Sequence, residues 1–468
     1  EGFGGEDTFN IDAGGLGLTL RGGSTAEDTA NDYLVSRYSD NSTWTIDGGA
    51  VEALQLTAGG PLLQFSGVEA VTGGSGVDTF NVSAASVSTL TGGVGEDSFN
   101  IESASSAGIT LIGGADTDSI FEISGSGSSW LLGATHTVNG GAGTVEFSSI
   151  ENIFGRDSTN GADSFTIDAV FNGTIDGRNG NDTFIVNQSV VGGLMGGAGN
   201  DIFQIAASVS NDITGGTGDD TFWLNDLNVT ANILGGSTGE ATGDRIWGFA
   251  GESEWTVFAN TDTSTITSTT VGTTGTVTFS FIENLLGRND VADTFIVNAV
   301  GDTVNIDIEA GSGTSIDTVD FSNILADTVI DVASADLGGA ERVRDDGELI
   351  LTSSSSAAWT LTDFDGANAI ADGVNDGTVV IDAEEIQFVD FQNIQGSAGQ
   401  DSFVIADGTL SGSINGLGGG DTLSRTGLGS TWNITGINTG TVQGVAGSFT
   451  GISVLQGNAG NDQFIFND

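Results

Sequence analysis

The stretch Gly73-Gly74-Ser75-Gly76-Val77-Asp78-Thr79-Phe80-Asn81-Val82 decides the fold, because it returns as Gly92-Gly93-Val94-Gly95-Glu96-Asp97-Ser98-Phe99-Asn100-Ile101. The Asp-to-Asp interval is 19 residues, and Asp163, Asp182, Asp201 and Asp220 repeat it. A fixed period of this size marks a repeat architecture and is read before any local propensity. Within the phrase, Phe and the next aliphatic residue stand two apart with polar residues between, the period of a strand with one buried face. Two residues before the glycine turns lie Leu90, Leu111, Ile175, Leu194, Ile213 and Ile233, the inward residues of a second strand. Turn, strand, turn, strand then makes one coil. Stacked coils, rising about 4.8 Å each, predict an all-β, elongated parallel β-solenoid with Phe and aliphatic ladders inside. A helix is excluded by the frequency of Gly and by the apolar period.

Longer segments interrupt the short coils. Where the residue two after Asp is aliphatic, as at Asp32, Asp118, Asp244, Asp317 and Asp421, a Trp follows, at Trp44, Trp130, Trp255, Trp359 and Trp432. Each segment closes on a Phe (Phe65, Phe147, Phe279, Phe388, Phe449) eight residues before a glycine turn. These closures divide the chain into repeat units at 73–154, 155–286, 287–395 and 396–456, with partial units at 1–72 and 457–468 and an insertion near 320–350. Neither end carries a polar cap, so a longer array is expected.

Composition narrows the function. The chain has 468 residues, 63 acidic against nine basic, all nine of them Arg, for a net charge of −54. Nucleic acid is excluded as a partner, since phosphate binding needs clustered Lys and Arg, and anionic membrane surfaces are disfavoured. Self-repulsion on this scale calls for cations. With 37% hydrophobic residues the chain is not of the disordered class. No apolar run is long enough to span a membrane. Cysteine is absent, which removes disulfides and thiolate metal sites, and histidine chemistry would rest on His136 alone.

Four turns read Gly-Gly-x-Gly-x-Asp in full, ending at Asp78, Asp97, Asp201 and Asp220; Gly177-Arg178-Asn179-Gly180-Asn181-Asp182 departs slightly. This phrase resembles the hemolysin-type, or repeats-in-toxin, calcium-binding repeats of giant bacterial extracellular surface proteins. The resemblance covers the turn and following strand of about a dozen coils, not the Trp segments. It implies a β-roll whose turn carbonyls and Asp carboxylates clamp Ca2+, a hard cation that takes six to eight oxygens. The ligands it implies are Asp78, Asp97, Asp182, Asp201 and Asp220 with Gly74, Gly76, Gly93, Gly95, Gly180, Gly197, Gly199, Gly216 and Gly218, whose flexible φ lets carbonyls aim inward. The family sets such turns back to back; here one occurs per coil, so a metal column is expected on one edge only. Against this, Asp and Asn favour tight turns with no metal, by bonding to their own backbone. A stack of like charges without counterions is nevertheless repulsive.

The other candidates read as structure. Trp followed at i+2 by an aliphatic is a packed strand rather than a sugar platform. His136, in Thr-His-Thr, reads as an exposed turn residue, and Arg156, Arg178 and Arg288 as surface partners of nearby acids. The function expected is structural or adhesive, not enzymatic: a calcium-stiffened stalk, adhesin, biofilm-matrix element or filament subunit, secreted to the cell surface. Its partners would be neighbouring repeats, copies of itself end to end, or surface glycans. The competing class is a polysaccharide-acting β-helix enzyme, a lyase or epimerase, or a glycan-binding module; proton abstraction from an acidic sugar needs a basic residue, and the chain has no Lys.

Overall fold

Alternating inward and outward residues dictate the strands. In Asp78–Val82 the buried positions are Asp78, Phe80 and Val82, with Thr79 and Asn81 turned outward. The fold was obtained as a computed structural model. It describes the chain except for residues 1–4, 13–16, 23–30, 50, 56–61, 103–107, 124–126, 141–142, 160, 239–240, 259–262, 299–306, 312–314, 316, 321–328, 332–341, 345–347, 351–356, 363–374, 382–383, 428 and 468. The insertion expected near 320–350 lies largely outside the described residues. The chain forms two units: Glu1–Ile246 with Thr274–Ile282, and Trp247–Thr273 with Glu283–Asp468.

The first unit is all-β, and its strands stack in parallel in chain order. Phe80 pairs with Phe99, Phe165 with Phe184, Phe184 with Phe203 and Phe203 with Phe222. The rings stack face to face at 4.6–5.0 Å between centroids. The second strand of each repeat stacks likewise, Leu90 on Leu111 and Leu194 on Ile213. Both rows are buried, so the expected core residues are the observed ones. Full burial of each such side chain contributes about 1.5–3 kcal/mol.

The Trp segments are not simply longer coils. Ser129–Leu132, His136–Asn139 and Thr144–Ser148 fold into three antiparallel strands. The last of these lies parallel to Thr110–Ala115 and the first parallel to Ser164–Ile167. The excursion therefore adds two strands to one sheet and hands the stack on. Ser42–Ile46, Glu52–Gln55 and Leu62–Ser66 repeat the device in the other sheet. The Trp takes the place of the repeat Phe: Trp44 is buried against Phe80 at 5.7 Å and Trp130 against Phe165 at 5.8 Å.

The acidic strands change sheet along the chain. Before the Ser129–Ser148 excursion the Asp-x-Phe strands, such as Ser98–Ile101, lie in the sheet that holds Ser42–Ile46; after it, strands such as Thr183–Val186 lie in the sheet that holds Ser129–Leu132. The glycine turns change sheets with them, from that of Thr89–Val94 to that of Leu194–Ala198.

The second unit repeats the pattern. Ala357–Leu361 pairs antiparallel with Gly377–Ile381 and parallel with Ser402–Ile405, which continues to Asp421–Arg425 and Ile452–Gln456. Its core gathers Trp359, Phe388, Phe403, Trp432 and Phe449.

Candidate metal site

Asp, Phe and the aliphatic residue stand at i, i+2 and i+4, so a strand that buries Phe buries Asp too. Asp78, Asp97, Asp182, Asp201 and Asp220 are all buried. They point into the corner instead of lining an exposed turn. A buried carboxylate needs donors, and the next lower coil supplies one. The Asp78 N–H donates to Asp97 Oδ1 at 2.7 Å and the Asp97 N–H to Asp118 Oδ1 at 2.8 Å. A second column runs from Asp163 to Asp182 to Asp201 to Asp220 to Asp244, with distances of 2.6–2.7 Å.

The columns have built starts and stops. At the start of these two columns a Ser takes the Asp position: Ser42 donates its N–H to Asp78 Oδ1 at 3.1 Å, and Ser128 donates its N–H to Asp163. At the far end of the first column a Glu replaces the missing Asp: Glu151 Oε2 accepts the Asp118 N–H at 2.9 Å, and Glu69 Oε2 does the same for the Asp32 N–H at 2.8 Å, closing an earlier Asp7–Asp32 rung. Sequence reading missed these residues, although each Ser stands two before a Trp and each Glu directly follows the apolar residue of a closure.

The second carboxylate oxygen carries the chemistry. Where a column begins, a turn amide satisfies it: Gly74 N–H donates to Asp78 Oδ2 at 2.6 Å and Arg156 N–H to Asp163 Oδ2 at 2.7 Å. Inside the columns Asp97, Asp118, Asp182 and Asp201 hold Oδ2 buried with no hydrogen-bond donor. Each such oxygen folds back over the first glycine of its turn. A Cβ on Gly196 would collide with Asp201 Oδ2 and would stand 2.7 Å from the Gly215 carbonyl; on Gly177 it would collide with Asp182 Oδ2, 2.8 Å from the Gly196 carbonyl. The first glycine of each turn is thus packed too closely by a carboxylate oxygen and a carbonyl to carry a side chain. Burial, the main cause, pushes the Asp182 carboxyl up to about 8 and those of Asp97 and Asp201 up to about 7. Neighbouring carboxylates push Asp97 and Asp182 the same way.

The remaining turn glycines stack rather than aim inward. Gly93, Gly95, Gly180, Gly197, Gly199, Gly216 and Gly218 have positive φ. A Cβ on Gly197 would strike the Arg178 carbonyl, and one on Gly199 the Gly180 carbonyl. These glycines therefore sit directly against the carbonyls of the preceding turn. Gly74 and Gly76 lie outside the left-handed region; they are needed for close approach to Tyr38 and Asp40. The carbonyls of Gly113, Gly196 and Gly215 each lie close beside the first glycine of the preceding turn. At Gly113-Gly114-Ala115-Asp116 the third glycine is replaced by Asp116 at φ 78°, and its Oδ2 accepts the Gly95 N–H at 3.1 Å. Among the described residues no three His, Cys, Asp or Glu side chains meet as a metal-holding group, so a cation here would depend on backbone carbonyls.

The other candidates resolve as follows. His136 is no turn residue: it lies on the middle strand of its excursion, half-buried against Phe147 and Phe171, and burial lowers its pKa. Arg178 sits 5.2 and 5.1 Å from the ring centroids of Phe121 and Phe154 and 4.0 Å from Asp157. Arg288 donates Nε–H to the Gly248 carbonyl at 2.9 Å. No helix of the described residues is long and apolar enough to cross a membrane.

No family model matches the chain, and no curated protein matches it. What fold and corners define is a repetitive all-β architecture with buried acidic ladders, consistent with a structural scaffold.

Proposed function

We propose that this chain is a calcium-stabilised structural or adhesive scaffold segment of a secreted bacterial surface protein, and not an enzyme. In this reading each 19-residue Asp-to-Asp interval closes one lap of a β-solenoid, and the repeat builds the same corner again and again. The observation that carries it is the row of buried carboxylate oxygens, Oδ2 of Asp97, Asp182 and Asp201, that have no hydrogen-bond donor. A buried carboxylate oxygen with no donor needs a proton or a cation. Every donor there is oxygen, the ligand type that calcium prefers. Asp97, Asp182 and Asp201 with the carbonyls of Gly113, Gly196 and Gly215 would hold it; Asp78 and Asp220 would serve the outer corners. Calcium, when bound, supplies positive charge to buried carboxylates.

The net charge of −54 supports the same reading, since such a chain is most at ease in a cation-rich medium outside the cell. Surface glycans and other repeats of the same kind are the partners this function implies. Calorimetric titration of the metal-stripped chain with calcium tests it. Binding of several ions that is lost in Asp182→Asn/Asp201→Asn supports the reading; no heat of binding in the parent rejects the metal.

A further inference from the structure

The alternation that buries the Phe ladder sets a second group of side chains on the outer face of the same sheet. Strands Ser129–Leu132, Ser164–Ile167, Thr183–Val186, Ile202–Ile205 and Thr221–Leu224 pair in parallel with no shift of register. One outward row therefore runs Leu131, Thr166, Ile185, Gln204 and Trp223. Beside it a row of Ser, Thr and Ile runs from Ser129 to Thr221. At a strand spacing of about 4.8 Å the face extends roughly 20 Å across the five strands.

No position in these two rows is charged, although the chain carries 63 acidic residues. The sheet that holds Thr174–Asp176 and Asp212–Thr217 differs. Asp176 and Asp212 face outward on it, and the Arg178 guanidinium already lies over the outward rings of Phe121 and Phe154. On the uncharged face Leu131 is 41% and Ile202 38% exposed. The outward residue that follows the repeat Phe, Asn81 and Asn100 in earlier strands, is here Trp223. Just past the strand ends, exposed Asn187 donates Nδ2–H to Asp168 Oδ1 at 2.8 Å, which gives the patch a polar rim. An exposed apolar patch with a polar rim marks an interaction site.

Charge selects the partner. A second copy of the chain, a nucleic acid or an anionic surface would meet a net charge of −54. A cationic partner would seek carboxylates, and these rows hold none. A neutral polysaccharide brings no charge to desolvate. Its hydroxyls both donate and accept, as Ser, Thr and Gln side chains do, and its sugar rings are apolar on their C–H faces. An aromatic ring with one apolar face and one wet end suits such a surface. We propose that this face binds a neutral polysaccharide laid flat on the sheet, with a sugar ring stacked on Trp223 and hydroxyls hydrogen-bonded to Gln204, Thr166 and Thr183. This inference rests on the adhesive side of the scaffold reading and deepens it by naming the face and the class of glycan.

Depletion of the full chain from solution is measured with insoluble cellulose, chitin and mannan as neutral probes and carboxymethyl cellulose as the charged one. The expected result is saturable binding to at least one neutral polysaccharide and weaker binding to carboxymethyl cellulose. Trp223→Ala should weaken the neutral binding about tenfold, and Trp223→Phe should retain most of it. Met195→Ala, outward on the other sheet, should leave it unchanged. Should Trp223→Ala fail to fold, Gln204→Ala keeps the test, since it spares the ring and should still weaken binding. No depletion by any of the three neutral probes, tighter binding to carboxymethyl cellulose, or parent-like affinity in both Trp223→Ala and Gln204→Ala overturns the proposal. Thermal melting with and without calcium on the same samples checks folding and keeps the two claims apart. A parent that gains stability from calcium yet binds no polysaccharide loses the glycan face alone.

Discussion

The N–H of Asp182 donates to Oδ1 of Asp201 at 2.7 Å, 19 residues further along the chain. That rung uses half of a buried carboxylate and leaves Asp201 Oδ2 without a donor. Stability and electrostatic cost are thus joined in one side chain.

Truncating that side chain separates the two. Asp201→Ala leaves the Asp182 N–H buried and unsatisfied, and should destabilise the chain by about 1–3 kcal/mol in denaturant unfolding. Asp201→Asn keeps an acceptor and removes the charge. In chelator it should equal or exceed the parent in stability, and in calcium it should fall below it.

Gly196 tests the corner by volume. Gly196→Ala drives a Cβ into Asp201 Oδ2, an overpacking expected to cost about 1–3 kcal/mol. Gly133→Ala is the control: its Cβ would stand 3.8 Å from Leu131 and Thr135, and its unfolding midpoint should scarcely move.

Glu151 ends a column by accepting the Asp118 N–H. Glu151→Gln retains an acceptor and should be tolerated, whereas Glu151→Ala should cost about 1–3 kcal/mol. Equal losses in urea titrations of the two variants would contradict the role as a ladder stop.

The pH dependence follows from raised carboxyl pKa values. Asp97 and Asp201 stand at about 7, Asp182 at about 8 and Asp293 at about 6, against 3.8 for the unperturbed group, with burial the leading cause. In that interval the folded state binds more protons than the unfolded one, so stability falls as pH rises. In chelator the melting temperature should therefore climb as pH is lowered from 8 to 5, roughly the window between the folded and unfolded values. Calcium should flatten the slope, because it replaces the proton.

Much of this was legible beforehand. The 19-residue interval predicted which Phe would stack, and Phe165, Phe184, Phe203 and Phe222 do so. The Trp-x-aliphatic pattern predicted buried strands. The antiparallel excursions were not visible, because their middle strands, such as His136–Asn139, carry no repeated phrase and only weak alternation. The alternation that buries Phe80 also buries Asp78, yet a glycine-rich turn directs attention to the loop and not to the strand that starts there. Ser42 and Glu69 were missed because their roles exist only across coils, 36 and 37 residues apart from their partners.

The claim that buried corner carboxylates need a counter-cation is tested most directly by calorimetric melting of the full chain at pH 8, in calcium and in chelator. The account predicts a markedly higher transition in calcium, with the difference shrinking in Asp182→Asn/Asp201→Asn. Superimposable transitions in the two media would contradict it.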